Sequence, residues 1–221
     1  MGSKIFFISV YLNEWFNTTK YILTQPRNFF KEMPVSGSLK GPVIFMAFTT
    51  FIASLLSIPI IMLTFADYLS GIDLSRIILL AAGLFVIFLF FMAISVPLNA
   101  LTYHILLRIC GANGDFNATL RVFCYYMSAS LVILPAIGIL MLIFYVAENK
   151  GLSGGLFDMI SVILLVIGVI IIAYYAFYIL FVGFSEAHRM SMKRVILATV
   201  GIPLAINVIL AAIPAALMLG S

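Results

Sequence analysis

Charge is what this sequence has least of. Only 9% of its 221 residues are Asp, Glu, Lys or Arg, while 64% are hydrophobic. A soluble domain has too little interior to hide that much apolar surface, so the composition excludes one and predicts an integral membrane protein. Cysteine is almost as scarce. Cys110 and Cys124 are the only two, and no C-x-x-C or similar metal-ligand spacing occurs, so no metal and no cofactor are expected. There is no contiguous basic stripe, which excludes a nucleic-acid partner. The centres of the long apolar runs lack Asp, Glu, Lys and Arg altogether. That argues against proton-coupled transport, voltage sensing and an intramembrane aspartyl protease, all of which need ionisable groups at that depth. A cleavable leader is not expected either, because the apolar stretch Ile5–Leu12 runs into Asn13, Glu14 and Trp15 rather than a small-residue cleavage site.

Long apolar runs are what the chain has in abundance. Five are present: 42–65, 77–107, 120–146, 159–184 and 195–219. Each exceeds the ~20 residues that carry a helix across about 30 Å of hydrocarbon. Only a helix satisfies its own backbone within one such run. The expected fold is therefore all-α: a polytopic bundle of five transmembrane helices spanning residues 42–219, preceded by a separate segment at 1–41. Prolines 59, 97, 135, 203 and 214 interrupt four runs and predict kinks. In the fifth, Gly201, Ala205, Ala212 and Ala216 predict a close-packing face, either inside the bundle or between two copies of the chain.

The first 41 residues read as interfacial. Ile5, Ile8, Leu12 and Trp15 recur at helical spacing between polar residues, and the chain's only Trp sits where a membrane surface favours it. A second short helix is expected from Pro26, with Thr24 as its cap and with Phe29, Phe30 and Met33 on one face before Pro34 ends it. Trp15, Phe29 and Phe30 are the expected interfacial anchors.

Basic residues set the orientation. Lys4, Lys20, Arg27, Lys31 and Lys40 precede the first run; Arg108 and Arg121 flank the second connection, and Arg189, Lys193 and Arg194 the fourth. Only Arg76 and Lys150 fall on the opposite side, together with Asp67, Asp73, Glu148 and Asp158. The positive-inside rule then puts the N-terminus in the cytosol and the C-terminus outside. Both cysteines fall at the cytosolic face, where thiols stay reduced.

Polar groups concentrate at that face. The stretch Asn99–Arg121 holds His104, Arg108, Asp115 and Arg121, and reads as a turn between two spans. A second turn holds Glu186, His188, Arg189, Lys193 and Arg194. Together these nine residues are the candidate functional face, suited to phosphate headgroups of anionic lipid or to a protein partner. Asp115 or Asn117 can cap the third span. Polar residues inside the spans, among them Asn99, Thr102, Tyr174, Tyr175, Tyr178 and Asn207, predict either hydrogen bonds between helices or a polar cavity. The second case leaves open a small-solute transporter or channel. An enzyme acting on lipid would require His104, Asp115, Glu186 and His188 to converge, and none is the leading expectation.

Several short patterns carry a family resemblance. Pro26-Arg27-Asn28-Phe29-Phe30 looks like the P-x-x-F-F lead-in of the Yip1 domain. His104 to Gly111 followed by Asp115-Phe116-x-x-Thr119-Leu120 resembles that family's second connection. Tyr125-Tyr126 and Pro135 fit its third span, and Gly183 to Ser191 resembles its G-x-x-E-x-H-x-x-S turn. The resemblance implies a five-span bundle with a cytosolic N-terminus; prokaryotic members have no generally assigned activity, and a non-enzymatic role is expected. Eukaryotic members act in vesicle traffic and contact Rab-type GTPases through a longer N-terminal segment with a D-L-Y-G-P-like motif. This sequence has no such motif, so Rab-type GTPase contact is not expected, and a prokaryotic-type member in the plasma membrane is (an endomembrane, were the source eukaryotic). Some prokaryotic members accompany ABC-type exporters. The expectation is a membrane scaffold or accessory subunit with a lipid or membrane-protein partner, or a homodimer.

Overall fold

The computed structural model describes residues 2–64, 73–149 and 156–219. Phe65, Asp67 and Lys150, which entered the expectations above, lie outside the described residues, as do the side chains of residues 1–10 and of Ala216. Every regular element among the described residues is helical. The helices are α1 (Gly2–Thr24), α2 (Pro26–Glu32), α3 (Lys40–Thr64), α4 (Leu74–Ile109), α5 (Phe116–Tyr126), α6 (Ser130–Asn149), α7 (Leu156–His188), α8 (Met192–Ile196) and α9 (Ile202–Leu219). A 3₁₀ turn, Met127–Ala129, joins α5 to α6, and a π turn, Leu197–Gly201, joins α8 to α9. Within the described residues four stretches are long and apolar enough to cross a membrane: Phe85–Ile109, Phe116–Met141, Val162–His188 and Met192–Ala212, with mean hydropathies of 1.9 to 2.7. Lys40–Leu56, in α3, is a shorter apolar stretch.

Where the helices stop differs from the sequence reading. The polar stretch Asn99–Arg121 is mostly helix. α4 continues to Ile109 and α5 starts at Phe116, leaving a six-residue connection, Cys110–Asp115. Asp115 caps α5, its Oδ1 accepting from the Ala118 N–H at 2.8 Å. The next charged turn shrinks further: α7 runs through Glu186 to His188, so only Arg189–Ser191 lies outside helix. At the N-terminal junction Thr24 is not the cap of α2. Gln25 holds that position, Thr24 belongs to α1 and its Oγ1 donates to the Lys20 carbonyl at 2.7 Å, while Pro26 does occupy the first turn.

Both α4 and α7 end in the same device. Gly111 (φ 89°) follows α4, with Ala112 N–H bonding Leu107 O at 3.0 Å and Gly111 N–H bonding Arg108 O at 3.0 Å. After α7 the equivalent bonds are Met190 N–H to Ser185 O at 3.1 Å and Arg189 N–H to Glu186 O at 3.4 Å. This is the Schellman arrangement, whose pivotal residue is left-handed and usually glycine. At the end of α7 that residue is Arg189 (φ 51°).

Polar side chains within the spans largely satisfy themselves. Asn99, Thr102, Thr199 and Asn207 each donate to the carbonyl four residues earlier, at 2.8 to 3.0 Å. These bonds lie within single helices, neither bridging helices nor lining a cavity. Pro97 and Pro135 lie inside α4 and α6. Pro203 cannot donate to the Thr199 carbonyl, and the π turn 197–201 opens the helix there. Of the small residues of the last run, Ala205 and Ala212 are exposed, along with Leu204, Val208 and Ile209.

α5 is the hub, packing on α3, α4 and α7; α3 also packs on α6, and α2 lies across α7. The last contact is tight because residue 183 is glycine. A Cβ there would stand 2.6 Å from Val122 Cγ1 and 3.1 Å from Phe30 Cζ. Phe30 fills that notch and is 1% exposed. It is therefore a core residue rather than a lipid-facing anchor. Phe29 and Met33 pack on the same core. Trp15 is half-buried; its Nε1–H donates to Thr49 Oγ1 at 2.9 Å and its ring stands edge-on to Phe48. The α1–α2 segment is thus tied to the bundle at several points. Tyr175 adds one more, its hydroxyl donating to the Leu23 carbonyl.

Candidate functional site

The residues proposed from sequence gather at one end of the bundle, and its two turns join there. His104, one and a half turns from the end of α4, places Nδ1 2.9 Å from the Thr119 hydroxyl. The same hydroxyl lies 2.9 Å from His188 Nε2, in the last turn of α7. Thr119 stands in α5, so one side chain links three helices. A hydroxyl carries a single proton, so it donates to one ring while accepting from the other, and the two histidine tautomers are linked. The surroundings are aromatic: Phe116 lies edge-on to His104, and Phe184 packs against His188. His188 is completely buried and its Nδ1 has no hydrogen-bond partner of normal geometry among the described residues. It faces Gly114. A Cβ at residue 114 would be 2.5 Å from that nitrogen and 2.9 Å from the Ala187 carbonyl, so the turn can approach α7 only with glycine there.

The arginines hold backbone. Arg108 Nη1 donates to the Ala112 carbonyl at 3.2 Å, and Arg194 Nη1 lies over Gly111. Arg121 is 3% exposed and reaches back 83 residues to donate from Nη2 to the Ser38 carbonyl at 2.9 Å; its Nε has no partner among the described residues. Glu186 accepts from Arg27 Nε at 3.1 Å, tying α2 to the end of α7. Lys193 is exposed.

The nine candidates therefore divide. His104 and His188 form a buried joint through Thr119, a residue the sequence reading quoted within a motif but did not propose. Asp115 caps a helix and Glu186 pairs with Arg27, so the four groups an interfacial enzyme would need do not form one hydrogen-bonded set. Among the described residues no group of three or more His, Cys, Asp or Glu is placed to hold a metal. The tyrosines of α7 do not share one setting: Tyr174 is 73% exposed, Tyr175 bonds Leu23, and Tyr178 borders a groove with Arg27, Glu186 and Arg189. That groove, of about 520 Å³, opens at the charged end between α2 and the last turn of α7.

Apolar helices of spanning length, and a charged end built from two short turns, define an integral membrane protein with several spans. Residues 20–213 match the Yip1 domain family, and the chain belongs to that family. The match covers everything from the end of α1 to α9, including the Thr119 joint, the Phe30 notch and the groove. No curated protein and no solved structure matches the chain.

Proposed function

We propose that this Yip1-domain protein is a non-enzymatic membrane scaffold or accessory subunit whose charged end lies in the cytosol and binds lipid headgroups or a membrane-protein partner. In this reading α3 is a fifth span, giving a five-helix domain over 42–219. Residues 1–41 are interfacial helices folded back onto its cytosolic end, and the C-terminus lies outside. The plasma membrane of a prokaryote is the expected location, and an ABC-type exporter is one class of partner.

One observation carries the proposal. The N-terminal segment and the two short turns meet through Arg27–Glu186, Arg121–Ser38 and His104–Thr119–His188. A connection that only returned the chain to the membrane would need none of these. Three separate segments held in register make a fixed surface, as recognition requires. The ten Lys and Arg residues assigned to this side support its cytosolic placement.

Crosslinking in native membranes followed by affinity purification tests the proposal. Recovery of the same membrane-protein partner in repeated preparations, lost when Arg189, Lys193 and Arg194 are all changed to Gln, is the expected result. Solute flux by the purified chain in proteoliposomes, with no partner recovered, would replace the proposal with a transporter.

A further inference from the structure

We infer that the groove between α2 and the end of α7 is a seat for an anionic phospholipid, with the headgroup phosphate held by Arg189 and Arg27. This deepens the headgroup-binding part of the proposed function and rests on it. The groove's lining is chemically mixed. Its charged part, open to solvent at the mouth through Arg27 and Arg189, is two guanidiniums and one carboxylate, Arg27, Arg189 and Glu186. Glu186 engages Arg27 through Nε at 3.1 Å, and Arg189 has no carboxylate partner among the described residues, so the mouth carries net positive charge. The rest of the lining is Val182, Met190, Met192 and the ring of Tyr178, with Ser185 and Ser191. Tyr178 and Tyr174 lie four residues apart on one face of α7 and are both exposed. The wall therefore continues as an apolar strip along the spanning part of the helix. A free phosphate would meet only the mouth. A molecule with a phosphate and an attached acyl chain matches mouth and strip together.

Backbone conformation points to the same residue. At the end of α4 the left-handed position is filled by glycine, the residue that takes it without strain. At the end of α7 the same position is filled by Arg189, which is exposed, lines the groove, and has no side-chain hydrogen bond or ion pair among the described residues. A strained residue at a cavity's rim is where function is to be sought.

The strain also supplies a test that separates binding from folding. Arg189→Gly removes the guanidinium while easing the backbone. Purified full-length protein in neutral detergent is titrated with dioctanoyl phosphatidylglycerol, dioctanoyl phosphatidylcholine, glycerol phosphate and inorganic phosphate, and binding is read by native mass spectrometry with thermal unfolding in parallel. The expected result is preference for phosphatidylglycerol over the other three. Arg189→Gly should weaken that binding by about tenfold, the worth of one charge-assisted hydrogen bond, with a Tm equal to or above that of the native chain. Arg189→Lys should retain most of the binding. Equal binding of glycerol phosphate or inorganic phosphate would overturn the lipid assignment. If Arg189→Gly binds normally while Lys193→Gln with Arg194→Gln does not, the groove inference fails and headgroup binding by the charged face survives. If none of these changes weakens binding, both fail.

Discussion

Thr119 contributes one hydroxyl, yet it serves two buried or half-buried imidazoles in two different helices. Removing it strands ring nitrogens that have little access to water, and a buried donor or acceptor left unpaired costs about 1–3 kcal/mol. Thr119→Val, which keeps the shape, should therefore lower stability by about that amount, whereas Thr119→Ser should stay close to the native value. Thermal unfolding of the detergent-purified protein checks both, and equal Tm values for Val and Ser would refute the joint. His104 and His188 were visible in the sequence as the only histidines, but their connection was not. Nothing in a one-dimensional pattern says that a threonine 15 residues from one and 69 from the other stands between them. The available signal was its place in the D-F-x-x-T-L pattern. Gly114 is similar: a glycine in a turn reads as ordinary turn chemistry, and its real constraint is the ring 2.5 Å from where a Cβ would be.

At the scale of elements, the contact of α2 with α7 depends on a notch rather than on an apolar stripe. Gly183→Ala would push a methyl into Val122 and Phe30, and overpacking of this kind costs about 1–3 kcal/mol. The loss should be partly relieved by a smaller residue opposite, so Gly183→Ala with Phe30→Leu is expected to be more stable than the two separate effects predict. A double-mutant cycle on Tm measures that coupling, and simple additivity would show that the two do not share the space. Helices themselves were legible, because apolar runs of this length leave the backbone no alternative in lipid. Their ends were not. Glu186 and His188 looked like a loop because they are polar, yet each finds a partner at the helix end, Glu186 in Arg27 and His188 in Thr119, and the stop comes from the conformation of Arg189, a residue type that gives no stop signal. Phe30 was assigned to a membrane surface for a related reason. Phe29, Phe30 and Met33 read as one apolar face, and such a face is satisfied equally by lipid and by another helix.

For the molecule as a whole, the proposed sidedness makes the two free cysteines a natural probe. Cys110 lies in the turn at the charged end and is partly exposed, whereas Cys124 is buried in α5. A membrane-impermeant maleimide should label Cys110 in inside-out vesicles and spare it in right-side-out ones, and should leave Cys124 unlabelled in both. Labelling of Cys110 from the outer face would invert the topology. The proposed orientation rests on the charge count alone, ten basic residues against two, a property of composition by segment that this labelling tests. The charged end as a joined surface was not readable, because its links cross 15 to 159 residues and depend on the order in which helices pack.

That separation has a consequence for how the protein is made. Arg27 emerges from the ribosome 159 residues before Glu186, and at roughly 5–20 residues per second the interval is on the order of ten to thirty seconds. Throughout it, the notch that will receive Phe30 does not yet exist. In the proposed orientation the newborn α1–α2 segment waits beside the cytosolic leaflet. It would then meet two environments in succession: lipid headgroups during synthesis, and the flank of α7 once the fourth long apolar run has been inserted.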